Sequence, residues 1–327
     1  CRLTGEKLLN LPGSVRDAKT FDEFYERFRY VLGQCLEMAM VNCDLIDSGY
    51  CKRYPIPFLS STMEGCIPHG QDAADKNGTL YRRSSINNTG MANAVDSLLA
   101  VRDLVYEEKR ITLDALNQAL NDDFAGCEQI AAYARNRAPK LGNESEDAKR
   151  ILKALSDMAT DKIVNRPNCR NDKFRMGMYS VMHHAAMGEL TGALPDGRRA
   201  RTSLANGMSP VQGADRMGPT AVIGAMTAPD HTRYGNGMVL DLKFAASFFE
   251  TPERRQALRA LVEAYFAQGG MEIQFNVVSR ETLLAAQKDP ESHRNLIVRV
   301  SGFSAYFVTL SKTLQDEIIT RTEYAAM

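Results

Sequence analysis

Apolar residues recur every three or four positions along much of the first half of the chain. In "TFDEFYERFRYVLGQCLEMA" (20–39), Phe21, Phe24, Phe28, Val31, Leu32 and Cys35 fall on one stripe, the spacing of an amphipathic helix. Thr20 and Glu23 fit a capping box at its start. The same spacing predicts helices near 91–109 and 112–120, with Leu113, Leu116 and Leu120 on a common face. Another is expected over about 145–162, where Ile151, Leu152, Leu155 and Ala159 line up. Between them, "YPIPFLSS" (54–61) contains two prolines, which exclude a regular helix, and it leads into the loop "TMEGCIPHGQD".

From 188 to 240 the texture changes. "GALPDGRRARTSLANGMSPVQGADRMGPTAVIGAM" is dense in Gly, Pro and Asp, so it reads as turns and loops, with a type I turn at Pro195-Asp196-Gly197. Its apolar end, "TAVIGAM", argues for an ordered loop system rather than a flexible linker. Thr251 and Pro252 then open a helix. A strand, "MEIQFNVVS" (271–279), a helix at 280–288 and a closing helix around 310–321 complete the chain. Helices alternating with strands favour an α/β architecture. Before the last helix, "LIVRVSGFSAYF" (296–307) alternates Leu296, Val298 and Val300 with Ile297, Arg299 and Ser301, as in a strand entering a core. Gly302 interrupts it. A glycine weakens a strand unless the backbone bends there or another group comes close.

Composition narrows the function classes. With 44% hydrophobic and 24% charged residues, the chain is an ordinary globular one. Forty basic residues balance forty acidic ones, so nothing points to nucleic acid or an anionic membrane. No apolar run reaches about eighteen residues, as a membrane span needs. The start, "CRLTGEKLLN", has neither an initiator Met nor a signal pattern, which suggests a cut or processed terminus. Seven scattered cysteines argue for reduced thiols and a cytoplasmic location. There is no CxxC pair, and His183–His184 cannot both face one side of a helix, so no metal is expected.

Candidate chemistry sits in two segments. "EGCIPHG" (64–70) places Cys66 after a glycine and two residues before Pro68. Alone, such a cysteine is more often a small buried hydrophobe than a nucleophile. Gly302 alone is more often a bulge or kink.

Together these segments resemble the glycyl radical enzymes. "RVSGFSAYF" is similar to that family's C-terminal signature, and "EGCIPHG" falls where the family keeps its cysteine. "NNTGMANAVDSLLAVRDLVYEEKRIT" (87–112), "LTGALPDGRRA" (190–200), "LANGMSPVQGADRMGPTAV" (204–222) and "GGMEIQFNVVSRETLLAAQKDPE" (269–291) look like family segments in family order. The resemblance covers practically the whole chain but only the second part of a family member. It implies the second half of a ten-stranded barrel surrounded by helices: 1–193 as the later part of a pyruvate formate-lyase-like barrel domain with the cysteine loop, and 194–327 as a glycine radical domain. It also implies a radical stored on Gly302 as a post-translational modification, with no dissociable cofactor. That radical would pass to Cys66, whose thiyl takes hydrogen from a small substrate. A glycine suits the role because an amide nitrogen and a carbonyl share the spin across a planar centre that a Cβ would crowd. Quenching by oxygen or water implies a packed setting, for which Val298, Val300, Phe303, Tyr306 and Phe307 are available. Arg299, Ser301 and Phe303 are expected to support the loop.

The implied partners are a radical S-adenosylmethionine activating enzyme and a missing N-terminal half or partner chain; a homodimer stays open. In texture the chain is nearest the glycerol, diol and hydroxyproline dehydratase and choline lyase branch. That branch implies elimination across a C–O, C–N or C–S bond. Many such members carry a carboxylate two residues after the cysteine, where this chain has Pro68; His69 and Glu64 are the replacement acid/base candidates. Ile67 stands where the acetyl-transferring branch has a second cysteine. Formate acetyltransferase-like, decarboxylating and fumarate-adding reactions are the alternatives, as is an idle or spare-part relative. Arg198 and Arg199 read as structural ion-pairing residues or anion ligands, and Gln274 and Asn276 as barrel-lining or loop-binding residues.

Overall fold

A computed structural model describes residue 6 and residues 14–324 of the chain. These residues form two compact units. One comprises the described residues up to Asn87 together with Leu155–Gly177 and Arg233–Asn236; the other holds Asn88–Ala154, Met178–Thr232 and the chain from Gly237 onward.

The first unit is built on a 33-residue helix, Phe21–Arg53. Thr20 caps it, its hydroxyl accepting the Glu23 N–H at 3.2 Å, while the Glu23 carboxylate accepts the Lys19 N–H at 2.7 Å. The sequence stripe is displaced at one point: Cys35 is exposed, and Leu36 and Met40 are the buried positions. Strand β1 (Ser84–Asn87) pairs in parallel with β2 (Phe174–Gly177) in this unit.

In the second unit the helix Met91–Val101 widens into a π-helix over Arg102–Glu107, as local insertions in a helix do. Helices Leu113–Asn121 and Arg280–Lys288 lie where their periodicity places them. "TAVIGAM" differs from expectation. Pro219, at the first helical position, opens a helix to Met226, so the turn-rich stretch ends in regular structure. The Pro195 turn forms as read, closed by the Gly197 N–H on the Leu194 carbonyl at 3.0 Å.

Strands β3 (Leu240–Phe244), β4 (Ile273–Asn276) and β7 (Glu323–Tyr324) make a parallel sheet in the order β4-β3-β7. Strands β5 (Ile297–Arg299) and β6 (Ser304–Tyr306) form a separate antiparallel hairpin. The α/β class therefore holds, with the strands among the described residues in three small sheets. Beneath the hairpin, Leu283, Val298, Val300, Phe307 and Ile318 form one apolar cluster. Leu283 is fully buried in it, so Leu283→Ala is expected to lower stability by about 2–5 kcal/mol in urea unfolding.

Candidate functional site

Cys66 opens a single helical turn, Cys66–His69, rather than sitting in an irregular loop. Gly65 makes that start possible. Its φ is +96°, and a Cβ there would stand 2.8 Å from the Gly78 carbonyl oxygen, so only glycine fits. Asp72 ties the segment's two sides together. Its carboxylate accepts from the Ile56 N–H at 2.7 Å, the Ser60 hydroxyl at 2.8 Å and the Ala74 N–H at 2.9 Å. Burial pushes this carboxyl up, but those donors outweigh it and hold the group below the usual range. The Cys66 thiol is a free cysteine, 3% exposed. It lines an open groove of about 360 Å³ with Pro57, Ser60, Ile67, Gln71 and Asp72. His69, the last residue of the turn, and Glu64, two residues before Cys66, are both exposed, and Pro68 lies within the turn.

Gly302 lies in the second unit, at the tip of the β5–β6 hairpin. The alternation Leu296, Val298, Val300 would carry residue 302 inward. Instead the chain reverses at Val300, whose N–H bonds the Phe303 carbonyl at 2.9 Å. The inward position goes to Ser301, fully buried, and Gly302 is exposed. Its φ of +81° matches the third position of a tight turn that glycine favours. A Cβ added there meets nothing within 4 Å. The expected packed setting is thus only partly present: Val298, Val300 and Phe307 are buried, Phe303 is half-buried, and Tyr306 is 50% exposed.

The tip is held almost atom by atom. Asn276 bridges Arg299 with both amide atoms, accepting its N–H at 2.7 Å and donating to its carbonyl at 2.8 Å. The Val300 carbonyl accepts from Asn206 at 2.8 Å and from Arg321 at 2.9 Å. Ser301 Oγ accepts the Ser180 N–H at 3.3 Å. Arg299 donates from Nε to Gln274 Oε1 at 3.1 Å and from a terminal nitrogen to Ser304 at 3.1 Å. Gln274 and Asn276, on the buried face of β4, are therefore bound to the glycine loop.

Below the tip lies a buried charge network that sequence reasoning missed. Arg321 stands 2.9 Å from Glu317 and 3.8 Å from Asp241, and His184 Nε2 is 3.4 Å from Glu317. The signal was present in "LDLKF", where Asp241 and Lys243 interrupt a strand that is otherwise apolar and buried throughout. Burial raises the Glu317 carboxyl, yet Arg321 and His184 outweigh it and leave the group well below the usual range. For Asp241, burial wins over Arg321 and Gln274, and the carboxyl is pushed up to about 7. In the unfolded chain it titrates near its ordinary value, so between about pH 4 and 7 the folded state binds the extra proton. Stability from this group is present below that window and is lost as pH rises through it, by at most about 1.4 kcal/mol per pH unit. Melting curves recorded from pH 5 to 7 are expected to show a smaller fall for Asp241→Asn than for the parent.

The other sequence candidates have structural partners. Arg198 donates to the Gly188, Gly192, Thr202 and Ser203 carbonyls, and Arg199 to the Asp123 carbonyl while lying over the Phe124 ring. His184 Nδ1 pairs with the Ser180 hydroxyl at 2.8 Å. Among the described residues no helix is long and apolar enough to cross a membrane.

A thiol at a glycine-opened turn and a pinned hairpin with a bare glycine at its tip define a class that comparison identifies. Residues 1–188 match the family described as pyruvate formate lyase-like, and residues 204–308 match the glycine radical family. The chain belongs to the pyruvate formate lyase-like glycyl radical enzymes. It is 35% identical over 311 residues to trans-4-hydroxy-L-proline dehydratase of Clostridioides difficile, covering 95% of this chain and 39% of that protein. It is 33% identical to (2S)-3-sulfopropanediol dehydratase of Klebsiella oxytoca, covering 98% and 39%. The glycerol-bound B12-independent glycerol dehydratase of Clostridium butyricum superposes with a TM-score of 0.90 at 36% identity, covering 96% of this chain and 40% of that one. The chain thus spans about two fifths of the length of these relatives.

Proposed function

We propose that this chain supplies the cysteine and the radical glycine of a lyase of the dehydratase type. The observation that carries the reading is their joint presence: a groove-lining free thiol at Cys66 and an unobstructed glycine at Gly302, on one chain that matches both family descriptions. In the resting protein Gly302 carries two Cα hydrogens. An activating enzyme that uses S-adenosylmethionine removes one. The glycyl centre then takes hydrogen from the Cys66 S–H, leaving a thiyl, which abstracts hydrogen from a substrate carbon bearing a hydroxyl or an amine. The substituent on the neighbouring carbon departs, with a proton as water or an amine or without one as sulfite, and the hydroxyl or amine loses its proton to a base as the carbonyl or imine forms. The product radical regains hydrogen from Cys66, so the net change is elimination without oxidation. His69, on the same turn as Cys66, and Glu64, just before that turn, are the acid/base candidates.

Hydroxyproline, sulfopropanediol and glycerol, named in the relatives, suggest a small hydroxylated substrate. The finer architecture belongs to this reading too: the strands would join a ten-stranded barrel completed by further polypeptide, with residues 194–327 as the radical domain. Leu45, Ile46, Tyr50 and Phe58 are exposed in the first unit, an apolar surface that such a segment would cover. The test is anaerobic activation of the protein with its completing polypeptide. It is followed by electron paramagnetic resonance and by product analysis with 1,2-diols, hydroxyproline and hydroxysulfonates. A carbon-centred doublet with elimination product is expected; a proven activator that yields neither would overturn the reading.

A further inference from the structure

Among the residues that pin the hairpin tip, one touches Gly302 itself. Gln274 Oε1 accepts the Gly302 N–H at 3.3 Å and the Arg299 Nε–H at 3.1 Å. Its amide nitrogen donates to the Asp241 carboxylate. That pattern fixes which way the amide points, because turning it over would aim its N–H groups at two donors, the Gly302 N–H and the Arg299 Nε–H. Asp241 is fixed in turn by Asn206 Nδ2 at 2.6 Å and lies 3.8 Å from Arg321. The Gln274 side chain is buried on β4, the edge strand of the parallel sheet, which is paired along its length with β3. Such a support moves little, unlike a second residue of the hairpin.

We infer that Gln274 is a positioning residue for the radical, setting the plane of the Ser301–Gly302 peptide through the Gly302 N–H. The inference rests on the reading above and deepens it. Spin at the Gly302 Cα spreads onto the amide nitrogen on one side and the carbonyl on the other. An acceptor on the N–H makes that nitrogen a better electron donor and orients the peptide plane whose overlap with the radical orbital governs the spreading. The other tip contacts lack this property. Asn276 holds Arg299, Asn206 and Arg321 hold Val300, and Ser180 holds Ser301, so none is bonded to an atom conjugated with the radical centre. The bond's length is at the long end for N–H···O, which leaves the plane room to turn about N–Cα as the centre flattens.

The test compares Gln274→Leu, which removes the acceptor, with Gln274→Glu, which keeps an oxygen at the same reach, in the activated protein with its completing polypeptide. In the parent, electron–nuclear double resonance is expected to show an exchangeable proton and a nitrogen coupling from the Gly302 amide. Gln274→Leu is expected to shift both couplings and to shorten the anaerobic radical lifetime at least tenfold, and Gln274→Glu to restore the couplings toward the parent. Couplings unchanged in Gln274→Leu, with a lifetime within twofold, would overturn the inference while leaving the radical site intact. Absence of any doublet in the parent would instead remove the radical reading. A check on the resting chain covers variants that fold poorly. Amide hydrogen exchange at Gly302 is expected to accelerate at least tenfold in Gln274→Leu while Arg299 stays protected; an unchanged Gly302 rate would also count against the bond.

Discussion

Gly302→Ala is expected to fold and to give no radical at all. The first half of that expectation follows from the space around the tip: a Cβ built on Gly302 has no atom within 4 Å, so alanine meets no steric obstacle. Its only cost is the φ of +81°, a left-handed value that penalises an L-residue by about 1–2 kcal/mol. The apolar cluster beneath the hairpin and the bonds to Asn276, Asn206 and Arg321 all involve other residues and survive. A melting temperature a few degrees below the parent's is therefore the anticipated structural effect. The chemical effect is total. The methyl group crowds the flattening on which delocalisation depends, and it occupies the outward side that the bare glycine leaves open. Paramagnetic resonance after anaerobic activation reads the result directly. A doublet in the parent and silence in a folded alanine variant would assign the radical to residue 302. A signal split by a methyl group would keep the site but refute the argument from planarity. An unaltered doublet would move the radical to another residue.

How far the sequence discloses this arrangement depends on what each signal measures. Helix periodicity reports burial averaged over several turns, and the helices at Glu146–Ile163 and Arg280–Lys288 lie where it puts them. Strand alternation reports the same quantity two residues at a time, so one reversal defeats it. The parity of Val298 and Val300 sends Gly302 into the core, and the turn at Val300–Phe303 sends Ser301 there instead. The candidate residues Cys66 and Gly302 stand out only through resemblance, since a lone cysteine and a turn glycine are commonplace. Their supports are harder still to see. Asp241, Glu317 and Arg321 come from a strand, a helix and the residue just beyond that helix, and nothing local in the chain announces that they meet. Gln274 and Asn276 share a face by alternation. That this polar face is the buried one becomes clear only once the hairpin is seen against it.

Cys66→Ser should separate storage of the radical from its use. Serine is nearly isosteric, and the turn it would open depends on backbone groups: the Gln71 N–H on the residue 66 carbonyl at 3.0 Å, and the His69 N–H on the Gly65 carbonyl at 3.1 Å. The Asp72 bonds to Ile56, Ser60 and Ala74 do not involve the thiol, so the groove keeps its shape. Installation of the radical at Gly302 requires nothing of residue 66, and the doublet is expected at parent intensity. Turnover is another matter. A sulfur–hydrogen bond is close in strength to a glycyl carbon–hydrogen bond, so exchange between them is nearly level. An oxygen–hydrogen bond is far stronger, and each additional 1.36 kcal/mol of barrier slows a step tenfold. Product formation with any substrate the parent accepts is expected to fall by at least about 10⁶-fold, a barrier increase of about 8 kcal/mol. Retained signal with lost turnover would make Cys66 the residue that carries the radical to substrate. Turnover surviving in the serine variant would show that another group takes hydrogen from the substrate. Loss of signal together with turnover would mean that the thiol is needed to install the radical, not merely to spend it.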